Sequence, residues 1–160
     1  MAKFTKPTND GKFVLPTQRG RDGYGSGAYL APRGARVHRG IDLFIPPGYP
    51  VHAPRNGRIG RVGGTVYSNA APEKQHMKLI TLIDDDGFEH MIMYVKEAQG
   101  LSRNRRVKAG DVIGYAQGLA YLYPGIGEHV HYQVSYGNVY FHPFDFTAMR
   151  KFLEGLENGN

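Results

Sequence analysis

The sequence contains no cysteine and no tryptophan. Without cysteine the chain can form neither disulfides nor thiolate–metal bonds, so any metal ion must be held by histidine or by carboxylate side chains. This absence leaves the redox compartment open. No long apolar run follows the basic residues of the stretch MAKFTKPTNDGKF at the start of the sequence, so we expect this stretch to be neither a secretory signal nor a membrane span. We therefore expect synthesis in the cytosol.

Basic residues outnumber acidic ones. The 160 residues have the size of one domain and carry a formal net charge of +6. Such a charge favours anionic partners, whether nucleic acid, a membrane surface or an acidic cell-wall polymer, and does not choose among them. No stacking motif accompanies the basic residues, so we do not expect nucleic acid to be the partner. The basic run SRNRRVK (102–108) is either an exposed turn or a contact for an anion.

Short apolar runs separated by turn residues predict a mainly β fold. The chain has 22 glycines and 10 prolines, which punctuate these runs. The tetrapeptide Asp84-Asp85-Asp86-Gly87 predicts a tight turn between two of the strands, and hence antiparallel pairing. The predicted strands are 51–63, 78–85, 90–96, 112–116 and 129–135.

Only the end of the chain has helical periodicity. Apolar residues recur on one stripe, and either Asp145 or Thr147 is suited to cap the helix N-terminus. The stripe consists of Phe146, Met149, Phe152, Leu153 and Leu156. We expect a single domain over residues 37–160 that ends in a helix at 146–157. Residues 1–36, rich in Gly, Pro and Arg, are predicted to form an arm or loop over the sheet.

Two histidines stand one residue apart in the stretch GEHVHYQV (127–134). Successive side chains of a strand point to opposite faces, so His129 and His131 share one face while Val130 and Tyr132 share the other. Two imidazoles on one rigid strand suit a metal site, since imidazole is a common zinc ligand. The same pair also occurs on ordinary polar surfaces.

A second cluster lies in the stretch ARVHRGIDL, where three residues separate His38 from Asp42. Gly40 between them lets the chain bend, so that an imidazole and a carboxylate can converge on one point. With one histidine of the other pair they would form a site of two histidines and one carboxylate. Three protein ligands leave a fourth position for water, which is typical of catalytic zinc, and a further imidazole nearby can accept a proton from that water.

Taken together, these motifs resemble the lysostaphin-type zinc endopeptidases, which cut peptide cross-links of bacterial cell walls. The resemblance implies an antiparallel sandwich of the duplicated hybrid motif type, with bacterial peptidoglycan as the partner. It further implies that His38, Asp42 and His131 bind Zn²⁺ and that His129 is catalytic. The resemblance covers roughly residues 20–146 and rests, in order, on GYG (23–25), HRGIDL (38–43), PPGYPVHAPRNGRIGRVG (46–63), the strand of Tyr94, VKAGDVIGYA (107–116), GEHVHYQV (127–134) and HPFDF (142–146).

One position departs from the family pattern. The family has a second catalytic histidine two residues after a tyrosine, and the segment MYVKE has Lys96 there, after Tyr94. This change resembles the leukocyte cell-derived chemotaxin branch, which keeps zinc and is regarded as a group of binding proteins. Two expectations stand: an endopeptidase in which Lys96 substitutes in part for the histidine, or a zinc-binding module that binds a glycopeptide or a protein partner without turnover. Tyr94, Tyr132 and Tyr29 are expected to line the substrate groove.

The expected setting follows from the cell-wall substrate. A wall-cutting domain that is made in the cytosol must reach the wall by another route. Release by lysis, or carriage on a phage particle together with other phage structural proteins, would supply that route. We therefore expect a phage-encoded protein used in lysis or in penetration of the wall.

Overall fold

The structure is a computed structural model that describes residues 18–67 and 72–159. Residues 1–17 of the predicted N-terminal arm lie outside the described residues. The described residues form short strands, one turn of 3-10 helix (Pro72–Lys74) and one α-helix. The strands are β1 (Pro32–Arg33), β2 (Arg36–Val37), β3 (Ile41–Leu43), β4 (Pro50–His52), β5 (Gly57–Thr65), β6 (Lys78–Asp84), β7 (Glu89–Met93), β8 (Val95–Glu97), β9 (Arg106–Val107), β10 (Val112–Ala116), β11 (Val130–Tyr136) and β12 (Val139–Phe141).

The strands pair in antiparallel fashion in three sheets. The largest sheet has seven strands, in the order β12-β11-β7-β6-β5-β9, with β3 paired to β11 outside this path. A second sheet has the order β4-β10-β8, and β1 and β2 form a hairpin. This arrangement confirms the prediction of a mainly β fold with antiparallel strands.

The turn between β6 and β7 forms at the predicted tetrapeptide. Gly87 has a φ of 94°, a left-handed conformation that glycine adopts without steric cost. The Oδ1 atom of Asp84 accepts hydrogen bonds from the backbone N–H groups of Asp86 at 2.9 Å and Phe88 at 3.0 Å. The side chain therefore satisfies the turn's own donors, as expected of aspartate at such a position.

Strand β11 divides its side chains between the core and the opposite face. Val130, Tyr132 and Val134 are each 0% exposed in the core, as the alternation predicts. The hydroxyl of Tyr132 donates to His90 Nδ1 at 2.6 Å, and His90 Nε2–H donates to Asp84 at 2.7 Å. This buried chain of polar groups ties β11 to β7 and β6, and each member has its partner.

The C-terminal helix α1 (Phe146–Glu157) has the predicted bounds. Asp145 caps it by accepting a hydrogen bond from the N–H of Ala148 at 3.0 Å. Met149 is buried, and the ring of Phe152 packs against Phe141 with centroids 5.3 Å apart. Burial of each such side chain contributes about 1.5–3 kcal/mol, so the helix is held mainly by its apolar face. Among the described residues, no helix is both long and apolar enough to cross a membrane.

Candidate metal centre

Strand pairing brings a carboxylate beside an imidazole from a distant part of the sequence. Strand β3 is antiparallel to β11, and Asp42 lies directly opposite His131 in the register. Residues opposite one another in an antiparallel pair project to the same face of the sheet. The Nδ1 atom of His131 is therefore 3.2 Å from Asp42 Oδ1, although 89 positions separate the residues in sequence.

Gly40 allows His38 to join this pair. A Cβ atom at Gly40 would lie 2.9 Å from Cε1 of His131 and closer still to the carbonyl oxygen of Tyr132. Only glycine fits where the chain passes so close to β11. The Nε2 atom of His38 is consequently 2.9 Å from His131 Nδ1 and 3.1 Å from Asp42 Oδ1.

The three donor atoms have the spacing of zinc ligands. Donors at 2.0–2.1 Å from a tetrahedral zinc ion lie about 3.3 Å from one another. Ligand atoms of His38, Asp42 and His131 fall within 4.8 Å of each other, and all three residues are buried. The structure thus brings together the three residues that the sequence predicts to converge.

Hydrogen bonds to the outer ring nitrogens fix the tautomers of both histidines. His38 Nδ1 is 2.9 Å from the carbonyl oxygen of Ala28, which can only accept, so Nδ1 carries the proton. His131 Nε2 donates in the same way to Gln133 Oε1 at 2.8 Å. The inner nitrogens are left with lone pairs that face each other and the carboxylate. This donor set fits a zinc ion, with the outer partners that zinc-binding histidines normally have.

Arg19 holds the carboxylate from the other side. Its guanidinium contacts Asp42 Oδ2 through Nε at 3.2 Å and Nη2 at 3.1 Å, and a third nitrogen, Nη1, contacts Asp22 at 2.6 Å. Such charge-assisted hydrogen bonds favour the ionised carboxylate and leave Oδ1 free to face the histidines. Arg19 is only 6% exposed, so this ion pair is largely shielded from solvent.

Asp22 extends this network to His129. It accepts the N–H of Gly127 at 2.9 Å, and the carbonyl of Gly127 accepts Nδ1–H of His129 at 2.6 Å. Burial alone would raise the pKa of Asp22, but the hydrogen bonds from Gly127 and Arg19 hold that pKa at about 2. Asp22 therefore stays ionised and fixes the loop that orients His129.

His129 presents a lone pair toward the candidate metal centre. In the neutral ring the single proton is on Nδ1, so Nε2 is unprotonated, and it lies 3.7 Å from Asp42 Oδ2. Burial lowers the pKa of His129, while the charge of Asp42 acts in the opposite direction. The edge of the ring meets Tyr94, with centroids 5.6 Å apart. A neutral imidazole in this position can accept a proton.

A cavity of about 740 Å³ opens over these residues. One side, which we call the tyrosine wall, consists of Tyr67, Tyr94 and Tyr123. The hydroxyl oxygen of Tyr67 lies 3.3 Å from that of Tyr94 and 3.3 Å from that of Tyr123. Tyr94 has a φ of 70°, a left-handed conformation that is rare for a bulky residue. Burial, with the neighbouring hydroxyl groups, raises the pKa of Tyr67, so its hydroxyl stays protonated and can donate a hydrogen bond.

The expected groove residues separate into two groups. Tyr94 lines the cavity, as expected. Tyr132 does not, because the alternation of β11 turns its ring into the core, where it is 0% exposed. Tyr29 is half-buried, packs edge-on against His142 with centroids 5.4 Å apart, and lies outside the cavity lining. The structure therefore places neither Tyr132 nor Tyr29 at the cavity.

Lys96 is not brought to the cavity. It lies in β8, opposite Tyr115 of β10, with its side chain exposed, and it is not among the residues that line the cavity. An exposed side chain of this kind stays in contact with bulk water. The placement does not favour the expected catalytic substitution by Lys96.

Sequence reasoning missed the residues that support the centre from outside. Arg19 and Asp22 belong to a segment without periodicity, and only the fold pairs them with Asp42 and Gly127. The position of Gln133 beside His131 is predictable from sequence, since it follows His131 by two positions in a strand and therefore shares its face. Tyr67 and Tyr123 come from loops, where no sequence period predicts orientation.

Comparison with known proteins gives consistent matches. The sequence profile of peptidase family M23 matches residues 36–143. Leukocyte cell-derived chemotaxin-2 of Mus musculus is 34% identical over 111 residues, which cover 69% of this chain and 68% of that protein. A glycyl-glycine endopeptidase of Staphylococcus capitis is 29% identical over 113 residues, which cover 71% of this chain and 28% of that protein.

The fold is also similar to that of a solved structure. The catalytic domain of the antimicrobial peptidase lysostaphin from Staphylococcus simulans superimposes with a TM-score of 0.55 at 27% sequence identity. The match covers 78% of this chain and 89% of that one. The similarity confirms the predicted lysostaphin-like fold.

Proposed function

The chain belongs to peptidase family M23, and from that premise we propose that it is a zinc-dependent endopeptidase domain that cleaves peptide cross-links of bacterial peptidoglycan. The observation that carries the proposal is the meeting of two unprotonated imidazole nitrogens and one carboxylate oxygen at 2.9–3.2 Å, beneath an open cavity. A third unprotonated imidazole, that of His129, stands beside them.

His38, Asp42 and His131 would hold the metal ion. When bound, zinc supplies Lewis-acid polarisation of a peptide carbonyl and lowers the pKa of bound water to about 7. Arg19 keeps the carboxylate of Asp42 ionised and oriented. Ala28 and Gln133 keep the two imidazoles in the tautomers that leave their inner nitrogens free. The chain thus holds its donors in place before any ligand arrives.

His129 is the proposed general base. Its Nε2 lone pair faces the centre, and the hydrogen bond from Nδ1 to the carbonyl of Gly127 fixes the ring and can stabilise the imidazolium formed when Nε2 takes a proton. The same imidazolium can then deliver that proton to the leaving amine. General acid–base catalysis of this kind contributes about 10²–10⁴-fold to a rate.

The tyrosine wall is the proposed contact surface for substrate. Tyr94, Tyr67 and Tyr123 offer hydroxyl groups to the cavity, and Lys74 Nζ lies 5.0 Å from the centroid of the Tyr123 ring. Hydroxyl groups aimed into a cavity can hydrogen-bond the carbonyls of a peptide in an extended conformation. We expect Tyr94→Phe to raise KM for peptidoglycan fragments.

The experiment that tests the proposal joins zinc content with the release of free amines from purified peptidoglycan. Wild type is expected to bind one zinc ion per chain and to release amines, and His129→Ala is expected to keep the zinc and lose the release by about 10²–10⁴-fold. His76→Ala, at an exposed histidine outside the cavity, is the matched control and should behave as wild type. Release that survives in His129→Ala would contradict the assigned base.

A zinc-binding module without turnover is the second candidate. It is favoured by the lysine at position 96, which is exposed and outside the cavity, and by the similarity to the chemotaxin, of which the chain covers 68%. In that case wild type binds zinc and peptidoglycan fragments without amine release. Bound zinc and bound fragments with no amine release from wild type would support this candidate.

The biological setting remains the one expected from the sequence. We propose use in phage lysis or in wall penetration by a phage particle, with cell-wall peptide as substrate in either case. A basic protein is drawn to the acidic polymers of a cell wall, which suits both settings. Mass spectrometry of purified particles distinguishes them, since only a particle component would be found there in fixed copy number.

A further inference from the structure

The cavity above the candidate metal centre is strongly electropositive. Among the residues that the structure describes, four arginines line it, and Asp42 is the only carboxylate that does. Arg19 is fully engaged by Asp42 and Asp22. The remaining three, Arg33, Arg36 and Arg39, form a second side of the cavity that we call the arginine wall.

Two members of the arginine wall, Arg36 and Arg39, have guanidinium N–H groups that are not used in hydrogen bonds within the described part of the chain. Arg33 donates to the carbonyl oxygens of Ser26 at 2.6 Å and Pro32 at 3.1 Å. Arg39 lies over the ring of Tyr140, with Cζ 4.8 Å from the centroid and a long 3.4 Å contact to the hydroxyl, which holds the guanidinium in place. The side chain of Arg36 is exposed and makes no hydrogen bond or ion pair within residues 18–67 and 72–159.

The two arginines flank a proposed metal ligand. Arg36 precedes His38 by two positions and Arg39 follows it by one, and all three line the same cavity. Two residues of extended chain span only about 7 Å, so groups bound at these guanidinium groups lie close to whatever occupies the centre. Arginine has a planar fork of donors that matches the two oxygens of a carboxylate.

We propose that the arginine wall is a subsite for a carboxylate on the peptide, so that the domain selects acidic peptides over neutral ones. The inference rests on the proposed function only in taking a peptide as the ligand. The carboxylate would sit near the peptide bond held at the centre, between Arg36 and Arg39. Its source is either an acidic side chain or the free C-terminus of the peptide.

Binding, measured apart from turnover, tests the proposal. Four pentapeptides are labelled with a neutral dye. Each has glycine at every position except the central one, which is glutamate or glutamine, and each has either a free or an amidated C-terminus. Their dissociation constants are measured by fluorescence anisotropy on the zinc-loaded chain and again after removal of the metal by a chelator. We expect at least one carboxylate form to bind about ten-fold more tightly than the neutral peptide.

Matched variants locate the preference. Arg36→Gln with Arg39→Gln is expected to abolish it, whereas Arg61→Gln with Arg103→Gln, which removes the same charge at exposed positions outside the cavity, is expected to preserve it. The preference should also weaken as salt rises, because it depends on charge. Thermal unfolding of each variant shows whether the fold is retained.

The possible binding results separate the arginine wall from other carboxylate sites. The glutamate and C-terminal forms distinguish a side-chain carboxylate from a terminal one. A preference that survives in the arginine variants but vanishes with the metal would place the carboxylate on the metal ion and overturn the proposal. Equal binding of all four peptides, or none, would overturn it as well. Failure of the proposed endopeptidase is separate, because it shows as absent amine release whatever the peptide affinities.

Discussion

The Nε2 atom of His38 lies 2.9 Å from the Nδ1 atom of His131, and the partners of the outer ring nitrogens leave both inner atoms without a proton. Two lone pairs so close repel one another unless a cation or a proton lies between them. The fold holds them there because Gly40 permits the close approach and because strand β11 is fixed on its other face by the core. A site built in this way is expected to bind metal tightly.

Asp42→Asn should weaken zinc binding more than any change outside the donor set. It replaces the only charged donor by a neutral amide, and loss of an outer partner alone typically costs about 10–100-fold in affinity. We expect a loss of more than about 100-fold, measured by competition with a chelator. Asp86→Asn is the control, since Asp86 is exposed in the β6–β7 turn. Equal zinc affinity in both variants would rule out Asp42 as a ligand.

Gln133→Leu tests the outer partner of His131. The substitution removes the acceptor of the Nε2–H group, so the ring loses both its orientation and its tautomer preference. Zinc affinity should fall by about 10–100-fold while the fold is retained. Gln99→Leu, at an exposed position, should leave the affinity unchanged. An unaltered affinity in Gln133→Leu would mean that the strand alone positions His131.

Tyr132→Phe should act on stability and leave the metal centre intact. The hydroxyl of Tyr132 donates to His90 Nδ1, and its loss leaves a buried acceptor without that partner. The expected decrease in the free energy of unfolding is about 1–3 kcal/mol, measured by denaturant titration. Tyr115→Phe, at an exposed position, is the control. A change in peptide affinity without a change in stability would indicate that Tyr132 contacts the peptide in the groove.

Asp22→Asn should remove a pH-dependent part of the stability. The pKa of Asp22 is held at about 2 in the folded chain, below its usual value near 4. A carboxyl group with a lowered pKa stabilises the fold above its unfolded pKa, and the contribution is lost as pH falls toward the folded pKa. In urea titrations of the metal-free proteins, the gap between wild type and Asp22→Asn should therefore be full at pH 5 and shrink from about pH 4 to about pH 2. A constant gap would contradict this origin.

Local patterns were enough to predict the parts of the fold whose signals are short in sequence. The helix 146–157 with its Asp145 cap, the turn at Gly87 and the two faces of β11 all follow from periods or turn chemistry within a few residues. The convergence of His38, Asp42 and His131 was predicted as well, although it depends on pairing across the chain. In that case the resemblance to a family supplied what the local pattern alone left open.

The rest could not be predicted because it depends on pairings between distant segments that show no periodicity. Arg19 reaches Asp42 only after Gln18 pairs with Leu43, an isolated contact between an irregular stretch and the short strand β3. Tyr132 was assigned to the groove for its closeness to the histidines in sequence, whereas the period of two in a strand turns it away from them. Lys96 occupies the motif position of a catalytic histidine in the family, yet its side chain is exposed to solvent.

Strand β11 carries a further consequence for how such a chain can change over evolutionary time. Its odd and even positions serve different tasks, with His131 toward the cavity and Val130, Tyr132 and Val134 in the core. Insertion or deletion of a single residue within the strand would exchange the two sets, turning the apolar side chains toward the cavity and the imidazole into the core. Descendants of this sequence can therefore lengthen or shorten the loops around the cavity, while β11 can change only by replacement of one side chain at a time.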